Sequence, residues 1–192
     1  MTGGTALSAV YYNHRESDDL DFFTDQDFTH INIQNLIKQT EVKLKYIEVT
    51  RNITHNINEF ILSWDKEKSL KIDFNYFTFQ RLETGLVVLG VQVDSLIDIA
   101  VNKLETILIR GNARDYVDFF TIFKKEKLNL PEIRKLHKKK FEINIDSLQM
   151  ARSFLKVKEA RDYPIMKTKF DYKEMEEFFE SLAKGLESEI LS

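Results

Sequence analysis

Residues 3–23 have the sequence GGTALSAVYYNHRESDDLDFF. Gly3, Gly4 and Thr5 stand before a mostly apolar segment, which predicts a short buried helix over residues 6–12 with a hydroxyl in its first turn. A loop without β-carbons allows backbone amides to approach phosphate oxygens at a helix N-terminus. The start of the chain therefore predicts a phosphate-binding loop.

The same stretch ends in a predicted strand, residues 20–23, with two carboxylates at its start. Asp19 and Asp21 are two residues apart, so the alternation of a strand places both side chains on one face, about 7 Å apart. Two adjacent carboxylates repel each other unless a cation neutralises them, and Mg²⁺ is bound by one or two carboxylates together with phosphate oxygens. Two surface acids in a chain rich in acidic residues are the alternative interpretation.

A second β pattern follows further along the chain. Apolar and polar residues alternate over residues 57–62 and again over residues 70–76, and the polar segment 65–68 between them predicts the turn of a hairpin. Asp73 lies on the polar face of the second strand. It can therefore supply a third carboxylate beside the first pair.

Helical patterns dominate the rest of the chain. A strand over residues 87–93 is predicted to pass into a helix, because Ser95 and Asp98 have capping-box spacing and the apolar residues that follow share one face. Further helices are predicted over residues 27–38, 114–124, 131–137, 146–157 and 171–190. The predicted fold class is α/β (α+β): a mixed sheet with flanking helices in residues 1–94, followed by a helical C-terminal region in residues 95–192.

The composition limits the classes of function. The 192 residues include no cysteine, which excludes disulfides, thiolate zinc sites and cysteine nucleophiles, so a metal must be held by oxygen or imidazole. No apolar run approaches the roughly 20 residues that span a bilayer, and no signal segment opens the chain. A soluble, cytoplasmic protein without a membrane partner is expected, with Mg²⁺ (or Mn²⁺) as its cofactor.

The net charge of −3 is unevenly distributed. Residues 1–100 carry 9 basic and 15 acidic side chains, whereas residues 101–170 carry 17 basic and 9 acidic ones. The first block can hold cations, and the second can face the phosphates of RNA. The basic block includes the run Lys138-Lys139-Lys140, for which a solvated face is the alternative interpretation.

Two parts of the chain resemble motifs of one family. GGTAL at residues 3–7 and HRESDDLDFF at residues 14–23 are similar to the first motif of AbiEii-type abortive-infection toxins. LIDIAVNKL at residues 96–104 and RGNARDYVD at residues 110–118 are similar to that family's later motif. The resemblance implies a nucleotidyltransferase-like core of the polymerase-β type, which uses a nucleoside triphosphate with magnesium. It also implies the toxin of a toxin–antitoxin pair, with an antitoxin protein as a partner.

The resemblance assigns roles to the first motif by position. It implies that Gly3, Gly4 and Thr5 bind the phosphates of the nucleotide. Asp19 and Asp21 match the catalytic carboxylates that hold the metal.

The resemblance extends to residues further along the chain. It implies that Asp73 is the third metal-binding and catalytic carboxylate and that the Lys103 ammonium meets the triphosphate as a point charge. Asp118 is expected to orient Lys103 or the nucleotide. Arg15 and Arg114 are expected to contact the nucleotide as well.

Two of these residues also have structural interpretations. Arg114 and Asp118 are four residues apart on a predicted helix, where an ion pair would stabilise the helix by about 0.2–0.5 kcal/mol. Lys103 lies on an otherwise apolar helix face, and its stem could cover that face while the ammonium reaches water.

The leading hypothesis is a metal-dependent nucleotidyltransferase that moves a nucleoside monophosphate to an acceptor hydroxyl, with RNA such as a transfer RNA 3′ end as acceptor. The alternative is a catalytically weak or inactive nucleotide-sensing or partner-binding module, since Met1 stands two residues before Gly3, where the resemblance implies a preceding strand. A plain RNA-binding protein is the third hypothesis, and it leaves the acidic cluster unexplained.

Overall fold

A four-stranded mixed sheet with helices around it forms the fold, as a computed structural model describes it for residues 1–26, 30–54 and 57–191. The predicted α/β class is confirmed. The strands of this sheet are β1 (Asp19–Thr24), β2 (Glu48–Ile53), β3 (Ile57–Ser63) and β4 (Ser69–Tyr76). The helices are α1 (Gly3–Ala6), α2 (His30–Leu44), α3 (Leu96–Ile109), α4 (Ala113–Lys125), α5 (Leu130–Phe141), α6 (Ser147–Leu155), α7 (Tyr172–Gly185) and α8 (Glu187–Ile190).

Two short helical segments also belong to this description. A π-helical segment (Leu7–Tyr12) continues α1, and a 3-10 turn (Lys156–Lys158) follows α6. The helix predicted over residues 27–38 is confirmed from residue 30, while residues 27–29 lie outside the described residues.

The strand order brings the predicted acidic segments side by side. β1 runs parallel to β4, and β3 pairs with β4 antiparallel, in the order β1-β4-β3-β2. The register sets Asp21 opposite Asp73 and Asp19 opposite Lys71. Because residues two apart share a face of a strand, all four side chains lie on one face. The other face packs against α2 through a cluster of buried apolar residues: Ile33, Ile37, Tyr46, Phe60, Leu62 and Ile72.

The N-terminal segment differs from its prediction. A helix is predicted over residues 6–12 with the glycines in a loop before it, whereas the helix begins at Gly3. Thr2 donates a hydrogen bond from its backbone N–H to the carbonyl of Asp21 over 2.9 Å, which attaches the start of the chain to β1. The helix then widens to π geometry, a form that is frequent at functional sites.

The single strand predicted over residues 87–93 is wrong. The chain reverses within that run, so that β5 (Val87–Val88) and β6 (Val91–Gln92) pair as a short antiparallel hairpin. Leu89 and Gly90 form its turn with φ angles of 51° and 78°. Two successive positive φ angles are typical of tight hairpin turns, and glycine adopts them without steric cost. The apolar run therefore spans both strands of the hairpin, and within it Gly90 is the one residue that indicates a turn.

The helices after residue 94 share their apolar core with the N-terminal segment. The predicted cap of α3 is confirmed, because Ser95 accepts a hydrogen bond from the backbone N–H of Asp98. Ala6 and Leu7 are fully buried in the same core as α3 and α4. The division of the chain at residue 94 stays a prediction. None of the described helices has the length and apolar character needed to cross a membrane.

The side chain of Asp98 joins three parts of the chain. It is fully buried, accepts hydrogen bonds from the backbone N–H groups of Leu82 and Glu83, and lies 2.6 Å from the Lys140 ammonium. The expectation that the whole lysine run faces solvent or phosphate is therefore wrong for Lys140, whose two neighbours in the run are exposed. The reason is the period of α5, which turns every third or fourth residue towards the core.

We expect Asp98→Ala to lower the free energy of unfolding by about 3–5 kcal/mol, because it leaves the Lys140 ammonium buried without its carboxylate. Urea denaturation followed by circular dichroism measures the change. Lys139→Ala is the matched control, since this exposed side chain should contribute less than about 0.5 kcal/mol. A loss below about 1 kcal/mol for Asp98→Ala would show that the pair behaves like a surface ion pair.

Candidate active site

A cleft of about 270 Å³ lies between the polar face of the sheet and helices α3 and α4. The glycine turn, which consists of Gly3 and Gly4, forms part of its wall. Two predicted site residues, Thr5 and Asp118, are buried and do not line the cleft. The other predicted site residues come together in its lining: Gly3, Gly4, Arg15, Asp19, Asp21, Asp73, Lys103 and Arg114.

Asp21 and Asp73 form the acidic centre of the cleft. Burial raises the pKa of the Asp21 carboxyl above its ordinary value of 3.8, and the charge of Asp73 raises it further. Asp73 Oδ1 is buried without a hydrogen-bond partner among the described residues, whereas its Oδ2 lies 2.8 Å from Lys71 Nζ. Asp19 lies at the rim, with its Oδ2 3.5 Å from Arg114 Nη1. The repulsion between Asp21 and Asp73 favours a bound cation.

The chemistry of these carboxylates suits a hard divalent cation. Asp21 and Asp73 offer oxygen ligands from facing positions of neighbouring strands, and Asp73 Oδ1 is free to coordinate. In the part of the chain that the structure describes, no three acidic or histidine side chains already stand close enough together to hold a metal ion. Lys71 occupies the second oxygen of Asp73, so cation binding requires a rearrangement at that residue.

Close packing explains why the glycine turn lacks side chains. A Cβ on Gly3 would lie 2.3 Å from Asp21 Oδ2, and a Cβ on Gly4 would lie 2.0 Å from Arg15 Nη2. Gly3 also has a φ of 76°, which side chains with a Cβ rarely adopt. The turn therefore holds its backbone directly against two charged groups of the site.

The Thr5 hydroxyl supports the start of β1. It donates a hydrogen bond to the carbonyl of Asp19 and lies 2.8 Å from Ser17 Oγ. A contact of Thr5 with phosphate stays a prediction.

Asp118 is the centre of a buried group of charges behind the cleft. Arg15 donates two hydrogen bonds to its carboxylate at 2.7 Å each, and Lys103 Nζ lies 2.7 Å from its Oδ2. The ring nitrogen Nε2 of His14 contacts the same carboxylate at 2.9 Å. Burial acts to raise the pKa of the Asp118 carboxyl, but these three partners outweigh burial and hold the pKa below its ordinary value of 3.8. Lys103 also lies 2.8 Å from Asp115. We call these five residues the Asp118 cluster.

The geometry excludes both structural interpretations of the α3 and α4 residues. Among the described contacts, Arg114 does not pair with Asp118 within α4, because Asp118 is bound by other cations and Arg114 lies beside Asp19. Lys103 does not extend to solvent, since its ammonium is buried between two carboxylates. The roles of Lys103, Arg114 and Asp118 towards a nucleotide stay predictions.

Sequence reasoning missed several charged residues of the site. Lys71 stands two positions before Asp73, so the alternation of the strand could have placed both on one face. Arg110 donates from Nε to Asp115 Oδ2 at 3.0 Å, and both residues lie within the later motif. Glu59, the other partner of Lys71, lies on β3, and Asp115 lies on α4, so a linear pattern does not show these contacts.

Similarity to known proteins agrees with this geometry. A family model described as "Nucleotidyl transferase AbiEii toxin, Type IV TA system" matches residues 1–187. The chain belongs to the AbiEii family. A curated relative, the uncharacterized protein aq_aa25 of Aquifex aeolicus (strain VF5), is 30% identical over 187 residues, which cover 96% of this chain and 85% of the relative.

Two solved structures from Helicobacter pylori are similar in fold. JHP933 has a TM-score of 0.60 at 20% identity, and the match covers 98% of this chain and 83% of that chain. A candidate nucleotidyltransferase of the same organism has a TM-score of 0.59 at 19% identity, covering 98% of this chain and 86% of that one. At these identities the likeness concerns the fold alone.

Family membership confirms the predicted enzyme class. This AbiEii-family protein is a nucleotidyltransferase, and its family comprises toxins of type IV toxin–antitoxin systems. A nucleotide substrate and an antitoxin partner follow from that membership. The predicted resemblance is thereby confirmed over nearly the whole chain.

We expect Asp118→Asn to lower the free energy of unfolding at pH 7 by about 3–5 kcal/mol, because Arg15 and Lys103 would lose their buried counter-charge. The depressed pKa of Asp118 stabilises the fold above its ordinary value of 3.8, and this contribution is lost as the pH falls below it. The stability difference between wild type and variant should therefore narrow below about pH 4. Urea denaturation between pH 3 and 7 measures it.

The control for this series is Glu67→Gln, which neutralises an exposed carboxylate of the β3–β4 turn. Its stability should follow the wild type at every pH. A constant difference between Asp118→Asn and wild type down to pH 3 would contradict the linkage.

We expect Gly3→Ala to weaken the binding of a nucleoside triphosphate with magnesium by about tenfold or more, because the new Cβ displaces the Asp21 carboxylate. Gly90→Ala is a matched control: its φ of 78° gives similar backbone strain, but nothing lies within 4 Å of its added Cβ. Isothermal titration calorimetry compares the two. Equal affinity in both variants would show that Gly3 matters only for backbone conformation.

Proposed function

We propose that this AbiEii-family nucleotidyltransferase transfers a nucleoside monophosphate from a nucleoside triphosphate to a hydroxyl of RNA, with a transfer RNA 3′ end as the first candidate. The observation that carries the proposal is the facing of Asp21 and Asp73 on adjacent parallel strands, beside a turn without side chains. Mg²⁺ (or Mn²⁺) is the proposed cofactor, with Asp19, Asp21 and Asp73 as its ligands.

The reaction joins the acceptor oxygen to the α-phosphorus and breaks the bond from that phosphorus to pyrophosphate. A bound divalent cation supplies charge neutralisation and polarisation of the phosphate oxygens. Asp73 accepts the proton of the acceptor hydroxyl on the carboxylate oxygen that does not hold the cation, a role supported by its buried position beside Asp21. The glycine turn binds phosphate through its backbone amides, a role supported by the close approach that its missing side chains allow.

The cations of the cleft have different roles towards the triphosphate. Arg114, with 42% of its side chain exposed beside Asp19, binds the triphosphate directly. Lys103 and Arg15 line the cleft while they bind Asp118, so their side chains are held in fixed positions beside the triphosphate. Asp118 acts as a positioning residue for both.

The acceptor class is supported by the charge of the chain. The net charge of +8 in residues 101–170, from 17 basic and 9 acidic side chains, suits a polyanion. Lys138 and Lys139 remain exposed for such contacts. An RNA acceptor is therefore favoured over a protein hydroxyl.

The deciding experiment incubates the protein with each radiolabelled nucleoside triphosphate, magnesium and total cellular RNA, followed by separation of RNA from protein. We expect label in RNA, at a 3′ end, from one preferred nucleotide. Label in protein would overturn the RNA acceptor. Binding of nucleotide without label in any macromolecule would favour the nucleotide-sensing module.

We expect Asp21→Asn and Asp73→Asn to reduce RNA labelling by about a thousandfold or more, since each removes a charge that the transition state needs. Asp25→Asn is the control, because this exposed carboxylate follows β1 directly without lining the cleft. Thermal melting verifies that each variant is folded. Full labelling by Asp21→Asn would overturn the assigned site.

A further inference from the structure

Lys71 is a cation inside the acidic part of the cleft that neither family motif includes. It projects from β4 on the same face as Asp73, and its Nζ lies 2.8 Å from Asp73 Oδ2 and 3.2 Å from Glu59 Oε2. Its Cα stands opposite that of Asp19 in the register of the sheet. About a third of its side chain, 35%, is exposed. The ammonium is therefore held by carboxylates and is open to the cleft at the same time.

The other cations of the cleft cannot take its place. Lys103 and Arg15 are buried and bound to Asp118, which leaves them no freedom to leave the wall. Arg114 lies at Asp19, and Arg110 is bound to Asp115. Among the described residues, Lys71 alone forms an ion pair with Asp73, through Oδ2, and Oδ1 of that carboxylate has no hydrogen-bond partner.

We propose that Lys71 is an internal counter-ion of Asp73 that gives up this carboxylate when a divalent cation loads and then binds the triphosphate. The inference rests on the proposed metal-dependent transfer, and it adds a residue that controls the loading. Lysine suits the task, because its ammonium is a point charge on a flexible stem of four carbons, with no fixed pairing geometry.

The consequence is that cation binding and nucleotide binding are thermodynamically coupled. Without nucleotide, Lys71 competes for Asp73 and repels a second positive charge, so cation affinity is low. With a triphosphate present, the displaced ammonium gains phosphate oxygens as new partners, and cation affinity rises. By linkage the nucleotide also binds more tightly when the cation is present. The cleft thus avoids loading a cation before its substrate arrives.

The test measures Mn²⁺ binding to the full chain by electron paramagnetic resonance, alone and with a saturating nucleoside triphosphate whose α,β-bridge is a non-cleavable methylene. The readout is cation affinity in each condition and the ratio between them. Lys71→Met and Lys71→Gln remove the charge, Lys71→Arg keeps it, and Lys68→Met removes an exposed lysine from the same hairpin. Thermal melting verifies folding.

We expect both neutral variants to bind Mn²⁺ about tenfold more tightly without nucleotide, and their affinity ratio to fall by a similar factor. Lys71→Arg and Lys68→Met should stay close to wild type. The proposal is overturned if both neutral variants bind Mn²⁺ without nucleotide as weakly as the wild type or more weakly. It is also overturned if they bind Mn²⁺ more tightly but the ratio of affinities with and without nucleotide is unchanged, because that result indicates simple charge repulsion.

The RNA-labelling assay runs in parallel on the wild type to separate the two proposals. If the wild type labels RNA and the neutral variants bind Mn²⁺ as the wild type does, the role of Lys71 is overturned and the proposed function stays intact. If Asp21→Asn binds Mn²⁺ as tightly as the wild type and the wild type does not label RNA, the proposed function itself is overturned.

Discussion

The Asp118 carboxylate is fully buried, and it meets cations from separate parts of the chain. Arg15 follows the π-helical segment, Lys103 projects from α3, and Asp118 itself belongs to α4. A buried charge costs several kcal/mol to desolvate unless partners surround it, so the packing of these elements has to keep the three charged groups together. Because β1 begins at Asp19, shortly after Arg15, the same constraint sets where the acidic strand meets the helices.

This arrangement divides the cations of the site into two groups with different physical behaviour. Arg15 and Lys103 are buried and hydrogen-bonded to carboxylates, which fixes their positions at the wall of the cleft. Lys71 and Arg114 are partly exposed and lie beside the strand carboxylates. Chemistry on a triphosphate benefits from both, since a fixed field needs no reorganisation and exposed cations can follow the changing charge of the substrate.

Local patterns account well for elements whose formation depends on neighbours in sequence. The strand with Asp21, the hairpin that carries Asp73 and the Ser95 cap were all predicted, because alternation and capping act within a few residues. The hairpin of β5 and β6 was missed, because its reversal depends on two positive φ angles within an apolar run. The burial of Lys140 was also missed, since the carboxylate that holds it lies on another helix.

Sequence patterns were sufficient to predict the fold class and to select the three carboxylates, because each rests on short-range spacing or on a family motif. Which charges meet depends on the packing of the sheet and helices. This packing placed Asp21 opposite Asp73, assigned Lys103 to Asp118, and set Lys71 on Asp73. The physical reason is that Coulomb and desolvation energies depend on distance and burial in space, and residues far apart in the chain acquire both only when the sheet and helices pack together.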